Sequence, residues 1–176
     1  QVVSARSCAH LLNIDKTSFV ELGGDRVADA VAAKAIFGAP VVVVDFGTAT
    51  NMEVIDKDGV FVGGVIAPGV ESSMRSLMSR AALLRAVELE DPGVAIGRDS
   101  SEAIQIGVVS GEAARVDGLV ERIQAELGYK TKVVATGGLA HRIAPLSHTI
   151  TEVDVELTLQ GLRLIYNELK KCDNQR

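Results

Sequence analysis

Apolar residues change period several times along the chain, and each change marks an element. Val27, Ala30, Val31, Ala33, Ala35 and Ile36 recur at helical spacing and predict a helix from Gly23 to Phe37, opened by Asp25 and ended by Gly38-Ala39-Pro40. The run Val41 to Val44 is β-branched and bounded by turn residues, which predicts a buried strand. A second strand is expected from Asn51 to Ile55, with Asp58-Gly59 as a hairpin turn and Val60 to Ile66 returning antiparallel. Pro68-Gly69 opens a helix predicted over Val70 to Ala82, with Val70, Met74, Leu77 and Met78 on one face. After a loop at Asp91-Pro92-Gly93, the stretch Ser100 to Leu127 is helical and amphipathic, although Gly107, Gly111 and Gly118 are candidate breaks. Lys132 to Ala135 is a short strand closed by Thr136-Gly137-Gly138. Leu157 to Leu169 is a helix expected to face the core through Leu159, Leu162, Ile165 and Leu169. Residues 1–20 show no clear period.

Composition narrows the class. Of the 176 residues, 47% are hydrophobic, too many for a disordered chain, yet only 3% are aromatic and none is Trp. A core of Ala, Val, Ile and Leu suits helices packed on a buried parallel sheet, hence an α/β fold. The net charge of −5, with Lys and Arg dispersed, argues against a nucleic-acid surface. No apolar run reaches the roughly 20 residues of a membrane span, and no signal peptide is visible, so a cytoplasmic protein is expected. Cys8 and Cys172 lack metal spacing and are read as reduced thiols. The chain opens on Gln1 rather than Met.

Three segments carry candidate chemistry. In Val41 to Thr50 a strand delivers Asp45 to its end, followed by Gly47 and the hydroxyls of Thr48 and Thr50. The glycine lets backbone N–H groups approach a phosphate, the hydroxyls can donate to it, and Asp45 can hold a cation. The plainer alternative is a hairpin whose Asp caps its own turn. In Val133 to Ala140 a strand ends in Gly137-Gly138, a turn bare enough for a base or ribose to lie against, or an ordinary strand-to-helix connection. In Glu21 to Arg26 an Asp beside an Arg at a helix start is either a cap with a solvated neighbour or a base with an anion clamp. Gly63 to Gly69 is a glycine-flanked loop that is structural or lines a pocket.

Taken in order, these segments resemble the second phosphate motif and the adenosine motif of the actin, Hsp70 and sugar-kinase superfamily. Gly23-Gly24-Asp25-Arg26, Val44-Asp45-Phe46-Gly47-Thr48-Ala49-Thr50, Gly63-Gly64-Val65-Ile66-Ala67-Pro68-Gly69 and Ala135-Thr136-Gly137-Gly138-Leu139-Ala140 together resemble the type III pantothenate kinases, over about Glu21 to Tyr166. Glu152-Val153-Asp154 and Leu157 to Arg163 also look like that family. The resemblance implies a ribonuclease-H-like fold, with a mixed sheet flanked by helices, and phosphorylation of pantothenate by ATP with Mg²⁺ and a monovalent cation, K⁺ or NH₄⁺. It implies a homodimer as well. Asp25 matches the proton acceptor, and Gly23, Gly24, Asp25 and Arg26 match the pantothenate-contacting stretch. Asp45 matches the monovalent-cation ligand, Gly47 and Thr48 the phosphate contacts, and Gly137 and Gly138 the adenosine turn.

Ser100 stands where the family usually has a substrate-contacting Thr, Asn51 where a third hydroxyl is usual, and Gly24 where Ala is usual. None of these departures removes a catalytic group. The family's opening Asp-Ile-Gly-Asn-Thr type segment is not among these residues. The expectation is therefore a remnant of an N-terminal domain and the start of a connecting helix over 1–38, then a C-terminal kinase domain over 39–176. A regulatory relative of the Bvg accessory factor type is the alternative. Retention of Asp25, Arg26 and Asp45 weighs against it.

Overall fold

Val41, Val42, Val43 and Val44 have no exposed surface, so both faces of their strand are covered. Each such burial contributes about 1.5–3 kcal/mol relative to exposure. In the computed structural model, which describes residues 11–14, 22–80 and 87–173, this strand is central to a mixed sheet. The strands are β1 (Asn13–Ile14), β2 (Val41–Phe46), β3 (Ala49–Ile55), β4 (Val60–Pro68), β5 (Lys132–Thr136) and β6 (Glu152–Val153). Their order across the sheet is β1-β4-β3-β2-β5-β6. β2, β3 and β4 form an antiparallel meander, as the hairpin residues predict. β5 pairs parallel to β2, with Val41 opposite Lys132 and Asp45 opposite Thr136. That parallel pairing brings the ends of β2 and β5, with their glycine turns, to one edge.

Helices cover both faces. α1 (Gly24–Phe37) and α6 (Leu157–Asp173) lie on one side, where Val27, Ala30, Val31 and Ile165 pack with Val41, Val43 and Ile55. On the other side α4 (Gly111–Leu127) and α5 (Ala140–Ile143) set Val116, Val120 and Ile143 against Val42, Val44 and Val133. α1 and α6 touch backbone to backbone: a Cβ at Gly161 would lie 2.0 Å from the carbonyl oxygen of Ala28.

Several expectations change. Leu159 and Leu162 do not face the core; they are 67% and 38% exposed, while Leu157 and Ile165 have no exposed surface. Gly161 decides this, because the contact with Ala28 turns the i, i+4, i+8 stripe of Leu157, Gly161 and Ile165 toward α1. On α2 (Val70–Arg80), Val70 and Met74 are buried as expected but Leu77 is exposed; residues 81 and 82 of the expected helix lie outside the described residues. The glycines after Ser100 do not break the helix. α3 (Ser100–Gln105) runs through one π-helical turn, Ile106–Ser110, into α4, and that turn absorbs the irregularity. The short strands β1 and β6 carry too few residues to show a period. Cys8 lies outside the described residues, and no helix among those described is long and apolar enough to cross a membrane.

Candidate active site

Two turns meet at the edge where β2 and β5 end. In the first, the Gly47 N–H donates to the Ala49 carbonyl at 3.1 Å. The start of α2 backs it: the Gly69 N–H and the Ser72 hydroxyl both donate to the Thr48 carbonyl, at 3.3 and 2.8 Å. A Cβ at Gly69 would lie 2.5 Å from the carbonyl oxygens of Gly47 and Thr48, so only glycine lets α2 come this close. The Thr48 side chain is exposed and free to donate outward. In the second turn Gly137 has φ +90°, and a Cβ there would lie 2.4 Å from Oδ1 of Asp45 and 2.7 Å from the Phe46 backbone. Gly138 beyond it faces open space. The structure thus brings Asp45, Gly47, Thr48, Gly137 and Gly138 together.

Asp45 is half-buried at this junction. Burial, and after it the charge of Asp25, holds its carboxyl above the usual carboxylate range. Directly across the β2–β5 pair, the hydroxyl of Thr136 is buried with no hydrogen-bond partner. A carboxyl and an unsatisfied hydroxyl at paired strand positions are oxygen donors of the kind a hard cation takes.

The start of α1 supplies the other half. Asp25 does not cap the helix, the plainer of its two readings; Gly23 holds the N-cap position and offers no side chain. Asp25 is exposed, and its Oδ1 accepts the Arg26 backbone N–H at 2.9 Å. A Cβ at Gly23 would stand 2.5 Å from that same oxygen. Gly24 opens the helix between them. Arg26 turns inward: its Nε–H donates to Oε1 of Glu53 at 2.7 Å, and Nη2 faces the Met52 carbonyl at 3.4 Å.

Behind Arg26 lie carboxyls that the sequence did not single out. Glu53 has no exposed surface, and burial pushes it up to about 8 against the pull of Arg26. Asp29, one turn after Asp25, is buried and accepts the Thr158 hydroxyl at 2.6 Å. Burial raises it to about 7, with Asp45 and Asp25 adding repulsion to that effect. The i, i+4 step from Asp25 to Asp29 was a visible signal, and so was a lone acidic residue, Glu53, between Met52 and Val54.

Two predicted residues fall elsewhere. Thr50 is not available to a phosphate: it is buried, and its hydroxyl donates to Oε1 of Glu112 at 2.7 Å. Glu112 in turn pairs with Arg115, which donates to the Pro68 carbonyl at 2.7 Å and ties α4 to the approach to the first turn. Ser100 begins α3 and lines a cavity of about 460 Å³ with Ser73, Leu77 and Ile104. That cavity lies between α2 and α3, and Ser100 is not brought to Asp25 and Arg26. Glu21 is outside the described residues.

Residues 1–122 match the family described as type III pantothenate kinase. The chain belongs to the type III pantothenate kinase family. Proteins called type III pantothenate kinase from Thermomicrobium roseum and Frankia alni are each 48% identical to it, over 86% and 84% of this chain and 58% and 59% of their own. One from a Roseiflexus species is 50% identical over 88% of this chain and 60% of its own. The chain therefore spans about three fifths of the length of these curated relatives. Among solved structures, a Baf family transcriptional activator from Campylobacter jejuni superposes with a TM-score of 0.61 at 22% identity, covering 87% of this chain and 67% of that one. An activator of 2-hydroxyisocaproyl-CoA dehydratase from Clostridium difficile gives 0.55 at 16% identity, over 86% and 69%. These two likenesses are of fold: a ribonuclease-H-like domain of the actin, Hsp70 and sugar-kinase type, with a mixed sheet and helices on both faces.

Proposed function

We propose that the full-length protein carrying this chain transfers the γ-phosphate of ATP to the primary hydroxyl of pantothenate, forming 4′-phosphopantothenate for coenzyme A synthesis. One observation supports this beyond family membership: an exposed carboxylate, Asp25, stands at the start of α1, within electrostatic reach of the Asp45 junction where the two glycine turns meet. Asp25 accepts the hydroxyl proton as the oxygen bonds to phosphorus, its carboxylate oriented by the Arg26 N–H. Arg26 holds the substrate's anionic end. Gly47 and Thr48 position phosphate, and Gly137 and Gly138 leave room for the nucleoside. Asp45, with Thr136 across the strand pair, would hold K⁺ or NH₄⁺, and Mg²⁺ bound with the nucleotide would neutralise phosphate charge. Ser100, at the cavity between α2 and α3, contacts substrate, and the protein works as a homodimer. A cytoplasmic location goes with this metabolic role.

The test is to incubate the full-length protein with ATP, Mg²⁺ and KCl and offer it pantothenate, a hexose or acetate. Phosphopantothenate should form. Turnover of the hexose or acetate with none of pantothenate would refute the assignment.

A further inference from the structure

Arg26 is seated from behind, and its seat depends on a glycine from another strand. Both of its acceptors, the Glu53 carboxylate and the Met52 carbonyl, belong to β3. Gly64 of β4 stands opposite Glu53 in the β3–β4 pair. A Cβ at Gly64 would lie 1.8 Å from the Met52 carbonyl oxygen and 2.8 Å from Nη2 of Arg26. The first of these is backbone in the middle of a sheet and cannot swing aside, so a side chain at this position must displace the strand and the guanidinium with it. Glu53 is kept at a cost, since it has no exposed surface and its second oxygen has no hydrogen-bond partner. An apolar residue there would fill the same core space without that penalty. Packing against β3 already calls for glycine at position 64, but it does not explain a buried acid at position 53; the seating of Arg26 does, and Gly64 leaves room for it.

We infer that Glu53, the Met52 carbonyl and Gly64 form a socket that fixes how Arg26 presents its guanidinium, with Glu53 and Gly64 as positioning residues. This rests on the reading of Arg26 as a substrate-binding group. The socket occupies the Nε and Nη2 edge, so the contact with a substrate carboxylate falls to Nη1. Lysine, with one ammonium and no second edge, cannot be seated from behind and present a donor forward in the same way. The residue that follows the base is thereby oriented from the sheet, and Asp25 is held by the backbone N–H of that same residue.

The experiment measures pantothenate affinity by calorimetry, together with KM and kcat, in the full-length protein. The variants are Arg26→Ala, Glu53→Leu, Gly64→Ala and the Arg26→Ala/Glu53→Leu double; leucine fills the space of Glu53 but cannot accept the Arg26 Nε–H. Misplacing a binding group by about an ångström costs roughly ten- to a hundred-fold. Glu53→Leu and Gly64→Ala should each weaken pantothenate binding by about that factor and raise KM, while kcat changes by only about two- or three-fold. Once Arg26 is replaced by alanine, Glu53→Leu should weaken binding no further. Should Gly64→Ala fail to fold, Glu53→Leu and the double variant decide. Wild-type affinity in Glu53→Leu, or fully additive losses in the double variant, would overturn the socket and leave the kinase assignment standing. A wild-type protein that does not bind pantothenate would overturn both.

Discussion

Replacing Asp29 with asparagine should make the protein more stable at neutral and alkaline pH and change it little below about pH 4. In the native state Asp29 is buried against Thr158, and its pKa is raised from 3.8 to about 7. A carboxyl with a raised folded-state pKa keeps its proton in the native state after the unfolded chain has lost it. Stability is therefore highest at low pH and is lost as pH climbs toward the folded-state value. Between pH 5 and pH 7 that difference falls from nearly one proton to about half of one, so at about 1.36 kcal/mol per proton and pH unit the native state loses about 2 kcal/mol through this residue. The asparagine of the Asp29→Asn variant carries no titrating proton and can still accept the Thr158 hydroxyl. Glu53 and Asp45 are raised as well, and because Asp29 repels Glu53 and is repelled by Asp45, removing its charge eases its neighbours in the same direction and adds to the difference. For a chain of this size about 1 kcal/mol corresponds to roughly 2–4 °C in Tm, so the gap between variant and wild type should widen by about 4–8 °C from pH 5 to pH 7. The assay is thermal unfolding by circular dichroism from pH 5 to pH 9 at constant ionic strength. Parallel Tm curves for the two proteins would show that Asp29 ionises normally, and the account of a crowded acidic cluster beneath α1 would fail.

Other substitutions probe the site and its support. Gly137→Ala places a Cβ 2.4 Å from Asp45 Oδ1 at φ +90°; it should cost about 1–3 kcal/mol by denaturant unfolding and weaken ATP binding, and unchanged values would mean that the two turns are not in contact. Gly161→Ala should destabilise by at least about 1–3 kcal/mol, because its Cβ meets the Ala28 backbone at 2.0 Å; a neutral result would show that α1 and α6 are further apart. Asp45→Ala should abolish activation by KCl titrated against a sodium background while the Mg²⁺ requirement persists, and an enzyme indifferent to potassium in both forms would leave Asp45 as a turn residue.

What could be read from the sequence was what local pattern determines. The valine run announces a strand covered on both faces, and Asp45 and Gly47 at its end announce a built turn. The Gly137 turn was equally visible, although its contact with Asp45 depends on β2 and β5 pairing in parallel. The partners of the site were hidden because they arise from register. Arg26 meets Glu53 only when α1 lies across β3, and Asp29 meets Thr158 across 129 positions of sequence. Thr50 looked like a phosphate ligand because hydroxyls cluster there. Strand alternation instead points it to the opposite face from Asp45, toward Glu112. Leu159 and Leu162 fit a helical period as well as Leu157 and Ile165 do. Which stripe faces inward was decided by one small residue, Gly161, at the helix crossing.

Phosphorylation of pantothenate with Asp25 as the base is tested most directly by following phosphopantothenate formation by mass spectrometry in the full-length protein, wild type against Asp25→Asn, at saturating ATP, Mg²⁺ and KCl. The substitution keeps the size and the hydrogen bond from the Arg26 N–H but removes basicity. The wild type should turn over, and Asp25→Asn should bind pantothenate with similar affinity while kcat falls by roughly 10²–10⁴. A variant that forms phosphopantothenate at the wild-type rate would contradict the account.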